Sequence, residues 1–226
     1  MEMRKLSKQF FISVPGETEQ WYFEYLQSLT YRDDRAKFVA KISSKKYTSP
    51  RKHVRALPVL SDDIRASHIC DYESNDGQHV TAFKGVMDEA KEIRDNCGTS
   101  RCIADYTLGY SNFTFDLWMV LHKATGCAPV SHRRQYIGHI NDAFGTDYSF
   151  IDDYKKEDNF KKILSQIELD DVLQAVINAE KIRSYNLENK RQWHRQYKGF
   201  EYNLKNPDLT INEVVKRILS ECGVIE

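Results

Sequence analysis

The feature that most constrains this chain is a short buried strand that turns sharply into an amphipathic helix. Phe10 to Val14 is an apolar run, with Ile12 and Val14 β-branched and only Ser13 polar, so that it has no polar face and is typical of a strand covered on both sides. Pro15 and Gly16 end the run. Apolar side chains then recur at helical spacing, at Trp21, Tyr22, Tyr25, Leu26 and Leu29. A strand followed directly by a helix is the unit from which wound α/β sheets are built.

Two glutamates, Glu17 and Glu19, lie in the turn between that strand and helix. Ligands of open α/β sheets bind beyond the carboxyl ends of the strands, so both glutamates are candidate site residues. The alternative is that they only favour the helix N-terminus through its dipole.

Strands and helices continue to alternate after this unit. Short runs near 38–42, 67–71 and 101–107 predict three further strands, and Gln78 to Asn96 has one apolar face and predicts a helix. This alternation predicts an α/β fold with a mostly parallel sheet flanked by helices. The spacing after residue 124 is mostly helical. We therefore expect an α/β core over 1–124 and a helical lobe over 125–226 packed on it as one unit.

A second pair of carboxylates, Asp71 and Glu73, follows the third predicted strand. Residues two apart at a strand end point to the same side, so both carboxylates can reach one cation. Mg²⁺ favours such sparse sets of hard oxygen ligands. The pair therefore predicts a divalent-metal site beside the first strand end.

Asp116 lies in an almost wholly apolar run from Phe113 to Leu121. A carboxylate there is costly unless it is paired or functional, which makes Asp116 a candidate catalytic residue. His122 follows this run. A lone histidine at that position is more often a cap or packing residue, and its functional alternative is a phosphate contact or proton donor.

Basic residues are concentrated in two segments. Lys45, Lys46, Arg51 and Lys52 follow the second predicted strand, and they form either a solvated loop and short helix or an edge that contacts phosphates. The segment 185–198 is polar, basic and aromatic. It is either a solvated connector, a mobile segment or a surface for nucleic acid.

The overall composition excludes several classes of protein. The 33 basic and 33 acidic residues give zero net charge, so nucleic-acid binding would need a local patch. The five cysteines contain no Cys-x-x-Cys pair, which argues against a disulfide framework and a structural zinc site. No apolar run approaches membrane length. We expect a soluble, cytoplasmic protein that does not bind membranes, and we leave homo-oligomerisation open.

Four segments occur in the order seen in the RloB-like proteins, and the resemblance covers nearly the whole chain. They are Val14-Pro-Gly-Glu-Thr-Glu19, Asp71-Tyr-Glu73, Ser111-Asn-Phe-Thr-Phe-Asp-Leu-Trp-Met-Val-Leu-His122 and Asn206-Pro-Asp-Leu-Thr210. The resemblance implies a Toprim-like core, related to topoisomerases, primases and overcoming-lysogenization-defect nucleases. It implies phosphodiester chemistry with Mg²⁺ or Mn²⁺, and a role in anti-phage defence or abortive infection. Family members are commonly encoded beside an ABC-type ATPase, which implies an ATPase-gated effector.

Carried onto this sequence, the resemblance assigns Asp71 and Glu73 to the metal, and Asp116 and His122 to the catalytic set. The proposed substrate-binding residues are Ser111 and Asn112 together with Lys45, Lys46, Arg51 and Lys52, and the substrate is DNA, RNA or tRNA.

Three positions depart from the family pattern. Pro15 stands where the family has its first-motif glutamate, Glu73 stands for the second aspartate of an Asp-x-Asp, and Asp116 stands for a glutamate. Because proline cannot act as an acid, base or ligand, an enzyme would use Glu17 or Glu19. We expect Glu17, since Gly16 gives its backbone freedom. The alternative is a catalytically inactive scaffold that binds and regulates an ABC-type ATPase or senses a phage product.

Overall fold

The computed structural model describes residues 5–58, 64–97 and 103–226. Four strands run parallel in its main sheet: β1 (Leu6–Val14), β2 (Phe38–Lys46), β3 (Ile64–Asp71) and β4 (Ile103–Asn112). A short fifth strand, β7 (Asp208–Leu209), pairs antiparallel with β4, and the order is β2-β1-β3-β4-β7. The predicted mostly parallel sheet flanked by helices is therefore confirmed. Residues 101 and 102 of the predicted fourth strand lie outside the described residues.

Helices connect the parallel strands and cover both faces of the sheet. They are α1 (Glu17–Arg32), α2 (Pro50–Ala56) and α3 (Gly77–Asp95). The remaining helices follow β4: α4 (Asp116–Val120), α5 (Tyr136–Phe144), α6 (Ile151–Tyr154), α7 (Glu157–Leu164), α8 (Leu169–Asn189) and α9 (Ile211–Glu221). Within the described part of the chain, no helix is long and apolar enough to span a membrane.

The alternation of side chains along β1 divides the interior into two cores. Phe10, Ile12 and Val14 enter the larger core with α1, α4 and the helices that follow, whereas Phe11 enters a smaller core with α3. The larger core takes side chains from both the 1–124 and the 125–226 portions, including Trp118 and Ile218. The C-terminal portion thus shares its main core with the sheet.

The C-terminal portion is not wholly helical, which differs from the predicted lobe. Helix α8 extends to Asn189, and a hairpin follows it, formed by β5 (His194–Tyr197) and β6 (Phe200–Asn203). Lys198 and Gly199 connect the two strands with φ of 52° and 79°. A two-residue hairpin turn with positive φ at both positions matches the twist of its strands, and Gly199 makes this turn accessible. The segment 185–198 thus contains the end of α8, a short 3-10 helix (Arg191–Trp193) and strand β5.

Candidate acidic site at the carboxyl end of the sheet

The parallel pairing of β1 and β3 places the carboxyl ends of both strands at the same end of the sheet. Asp71 is the last residue of β3 and pairs in register with Ser111 of β4. Helix α1 begins at Glu17, directly after the Pro15–Gly16 turn at the end of β1. This end is where ligands of open α/β sheets bind.

Glu19 lies in the first turn of α1, yet its side chain is buried. The Thr18 hydroxyl donates a hydrogen bond to Glu19 Oε2 at 3.1 Å. Gly16 leaves the space for this carboxylate, because a Cβ there would lie 2.7 Å from Oε2. Burial raises the pKa of Glu19, the charge of Asp116 adds to the rise, and Lys155 opposes it. Glu19 is thus a carboxylate held in a site where its charge is disfavoured.

Asp116 is 1% exposed and forms an ion pair with Lys155, whose Nζ lies 3.0 Å from Oδ2. The Thr114 hydroxyl also donates to Oδ2, at 2.5 Å. Burial disfavours the charge of Lys155, but Asp116, Glu19 and Asp71 together raise the pKa of the ammonium. Lys155 therefore remains a cation against this carboxylate.

Asp71 completes a group that we term the acidic cluster: Glu19, Asp71, Asp116 and Lys155. Burial raises the pKa of Asp71 well above its usual value, and Glu19 and Asp116 raise it further. Asp71 Oδ1 and Asp116 Oδ1 are both buried, and neither has a hydrogen-bond partner among the residues that the structure describes. Three carboxylates thus share one ammonium, and two of their oxygens are unsatisfied at a cost to folding.

The donors of the acidic cluster fit a hard divalent cation in their chemistry. Mg²⁺ and Mn²⁺ prefer carboxylate oxygens, and the unsatisfied oxygens of Asp71 and Asp116 are of this kind. Across residues 5–58, 64–97 and 103–226, however, no three histidine, cysteine, aspartate or glutamate side chains are already arranged as a metal site. In this arrangement the charge of the carboxylates is compensated by the ammonium of Lys155.

Comparison with known proteins identifies the family. The profile described as RloB-like protein matches residues 10–218, which is nearly the whole chain. The chain belongs to the RloB-like protein family. No curated protein and no solved structure matches it.

In this RloB-like chain, Glu19 lies in the acidic cluster, whereas Glu17, the glutamate that we expected there, does not. Glu17 is largely exposed and forms an ion pair with Lys46 at 2.8 Å. Glu19 precedes the buried Tyr22 and Phe23 by three and four residues, which places it on the buried face of α1. That spacing, which is visible in the sequence, predicts that Glu19 faces the interior. It is a better guide to the position of the carboxylate than the backbone freedom that Gly16 gives to Glu17.

The surroundings of Glu73 differ from those of Asp71. Glu73 is exposed and lies 3.3 Å from Arg133 and 3.4 Å from His79 in ion pairs. The intervening Tyr72 is fully buried in the smaller core. The charge of Glu73 also raises the pKa of Asp71, but it does so less than the charges of Glu19 and Asp116. Glu73 is therefore engaged in exposed ion pairs outside the acidic cluster.

His122 is placed in the larger core, away from the cluster. Its Nδ1–H donates a hydrogen bond to the Trp118 carbonyl at 2.9 Å. Its Nε2 lies 3.1 Å from the Tyr22 hydroxyl, from which it accepts a hydrogen bond. Burial lowers the pKa of His122 to about 4, so the ring is neutral near pH 7. These contacts favour the packing role over the phosphate contact or proton donor.

Ser111 and Asn112 are also buried and support the loop before α4. The Ser111 hydroxyl donates to the Thr114 carbonyl at 2.6 Å, and the Asn112 amide donates to the Asn203 carbonyl at 2.8 Å. Thr114 in turn bonds Asp116. These bonds support the loop that carries Asp116, and the substrate-binding role of Ser111 and Asn112 stays a prediction.

The first basic segment is exposed at the end of β2 and on α2. Lys46 pairs with Glu17, and Arg51 pairs with Glu89 and Glu92 of α3. Lys45 lines a small pocket beside Tyr47, and Lys52 is exposed on α2. Lys46 and Arg51 are thus engaged with carboxylates, as expected of a solvated surface.

Lys155 is the member of the acidic cluster that we did not predict. It is the C-cap residue that follows α6, within a run of charges of both signs, Asp152 to Asp158, that is typical of a solvated surface. Only the fully buried neighbour Tyr154 shows that this turn is packed against the protein. Its approach to Asp116 depends on the tertiary fold.

Proposed function

We propose that this protein is a divalent-metal-dependent nuclease that hydrolyses phosphodiester bonds as an effector of anti-phage defence. The observation that supports the proposal best is the acidic cluster at the carboxyl end of the sheet, with its two unsatisfied, buried carboxylate oxygens. The family resemblance supports the defence role and a Toprim-like relationship.

The proposed roles follow from the surroundings of each side chain. Asp71 and Asp116 would hold Mg²⁺ or Mn²⁺ through their unpartnered oxygens. When bound, the cation supplies charge stabilisation to the phosphoryl oxygens and acidifies water. Glu19 suits a general base, because its raised pKa brings it closer to the operating pH. Lys155 holds the carboxylates together through charge.

Two partners belong to the proposal. Nucleic acid, as DNA, RNA or tRNA, is the substrate. An ABC-type ATPase is the controlling partner, which the family resemblance supports because members are commonly encoded beside one.

The test compares two glutamates in the same turn. We expect Glu19→Gln to lower metal-dependent cleavage by about 10²–10⁴-fold, the usual contribution of a general base. Glu17→Gln is the matched control, because its side chain is exposed and paired with Lys46, and it should cleave like the wild type. Cleavage of labelled single strands, duplexes and tRNA is measured with the ATPase present, in Mg²⁺, Mn²⁺ or EDTA.

A second readout follows metal binding without cleavage. Divalent metal should raise the melting temperature of the wild type by mass action, and Asp71→Ala should abolish that rise. An unchanged metal response in Asp71→Ala, together with full cleavage by Glu19→Gln, would contradict the proposed site.

The second candidate function is a catalytically inactive scaffold that regulates the ATPase or senses a phage product. Two observations favour it: Pro15 occupies the position of the family glutamate, and Lys155 already compensates Asp116. A scaffold should protect cells from phage even with Glu19→Gln and Asp71→Asn combined. Loss of protection in that folded double variant would support the nuclease.

A further inference from the structure

An open groove lies between the loop 129–131 and the two segments that flank the β5–β6 hairpin, 190–193 and 204–206. Its volume is about 730 Å³, within the range of about 300–1,000 Å³ that small-ligand sites usually have. We term it the Trp193 groove, after the indole on one of its sides. Its lining includes Asn75, Phe113, Lys190, Trp193 and Lys205.

The lining of the Trp193 groove combines positive charge with aromatic surface. Lys190 and Lys205 contribute two ammonium groups, and none of the described residues that line the groove is an aspartate or glutamate. Neither lysine forms an ion pair with any residue that the structure describes. Lys205 Nζ lies 4.8 Å from the centre of the Trp193 ring, and Lys190 Nζ lies 5.4 Å from that of Tyr185. Trp193 is 37% exposed, which leaves part of the indole open to a ligand.

The groove adjoins the acidic cluster through two short connections. Phe113 lines the groove, and the next residue, Thr114, donates a hydrogen bond to Asp116 of the cluster. Asn75 lines the groove four residues after Asp71, and its amide donates to the Leu204 carbonyl at 3.0 Å. An extended ligand bound in the groove would therefore lie next to the carboxyl ends of β3 and β4.

We propose that the Trp193 groove binds a single-stranded segment of nucleic acid, with a base stacked on Trp193 and phosphates near Lys190 and Lys205. This inference rests on the proposed nuclease function and specifies its substrate class. An indole can stack on any base that is unpaired and unstacked, which makes such contacts tolerant of sequence. A duplex keeps its bases stacked inside, so a groove with one aromatic platform and two cations suits a single strand.

Binding is measured in EDTA, so that cleavage does not interfere, as the fluorescence anisotropy of a labelled 12-nucleotide single strand. We expect Trp193→Ala to weaken binding by about 5- to 150-fold, the range for loss of one base stack, and Trp193→Phe to retain most of it. Tyr31→Ala is the aromatic control, because Tyr31 is exposed near the end of α1 at the opposite edge of the sheet. It should bind like the wild type.

Charge is tested with Lys190→Ala and Lys205→Ala combined, which should weaken binding and reduce its dependence on salt. Lys162→Ala, an exposed lysine on α7, is the control. Circular dichroism melting confirms that each variant is folded.

Ligand variants separate the proposal from its alternatives. An oligonucleotide with abasic positions should bind more weakly than the intact strand, and a duplex should compete poorly. Equal binding of intact and abasic strands, preferred binding of duplex, or displacement by polyglutamate at equal charge would each overturn the inference; the last would indicate an acidic protein partner. Unchanged binding by Trp193→Ala would also overturn it, while the cleavage test with Glu19→Gln would still decide the nuclease separately.

Discussion

At the scale of single residues, Lys155 decides the charge balance of the acidic cluster. Its ammonium is the cation that faces Asp116, and it also attracts Glu19 and Asp71. Removal of one partner from a buried pair leaves the other charge uncompensated, which costs more than the pair contributes.

We expect Lys155→Ala to lower the free energy of unfolding by roughly 1–3 kcal/mol in the absence of metal, as expected for an unsatisfied buried group. Divalent metal should then stabilise this variant more than the wild type, because the carboxylates have lost their ammonium. Urea denaturation with and without Mg²⁺ measures both effects. Lys156→Ala is the matched control, since Lys156 is exposed and should change stability by less than about 0.5 kcal/mol. Equal effects of the two substitutions would show that Lys155 does not hold the cluster.

Two residues of the candidate site show what the sequence could and could not predict. Asp116 was predicted because a carboxylate in an apolar run needs a reason, and the structure gives that reason as the ion pair with Lys155. Glu19 carried a signal in its spacing to Tyr22 and Phe23. Lys155 carried almost none, because a lysine in a charged run is normally solvated and its partner lies 39 residues earlier in the chain.

At the scale of elements, the position of α9 depends on close packing against β4 at Gly109. A Cβ at Gly109 would lie 2.9 Å from Ile69 Cδ1 and 3.3 Å from the Ile211 Cα at the start of α9. The side chain of Ile69 could move, but the backbone of a helix could move only with its neighbours. Gly109 thus sets the distance between the sheet and α9.

We expect Gly109→Ala to destabilise the protein by about 1–3 kcal/mol, the usual cost of overpacking a core. Gly85→Ala is the matched control, because Gly85 lies inside α3 and a Cβ there would meet nothing within 4 Å. It should stabilise the helix by roughly 0.5–1 kcal/mol. Urea denaturation measures both, and a stabilising Gly109→Ala would show that α9 adapts freely.

The parallel strands were the most predictable elements, and the small antiparallel ones were the least. Phe10 to Val14 is apolar except for the buried Ser13, because both faces of β1 are covered. Strands β5 and β6 lack such a run, since most of their residues are exposed or half-buried. Strand β7 has two residues, too few for a periodic pattern, and it is held through pairing with β4 and the bonds of Asp208 to Asn186 and Tyr110.

At the scale of the whole molecule, the proposed function includes control of the effector by a partner protein. We expect the protein to co-purify with an ABC-type ATPase encoded by a neighbouring gene, in at least one of its nucleotide-bound, nucleotide-free or phage-infected states. Affinity purification followed by mass spectrometry measures this. Recovery of the ATPase in none of the three states would count against an ATPase-gated effector. A bait protein with the surface substitution Lys162→Ala serves as the control.

The order in which Asp116 and Lys155 are synthesised has a consequence for the formation of their ion pair. Glu19, Asp71 and Asp116 leave the ribosome before Lys155, because synthesis proceeds from the N-terminus. A nascent chain that has not yet reached residue 155 therefore contains these three carboxylates without the ammonium that pairs with Asp116 in the complete protein. Completion of the acidic cluster is in this sense a late step of biosynthesis, and a chain interrupted before residue 155 would contain every acidic residue of the site without the cation that compensates them.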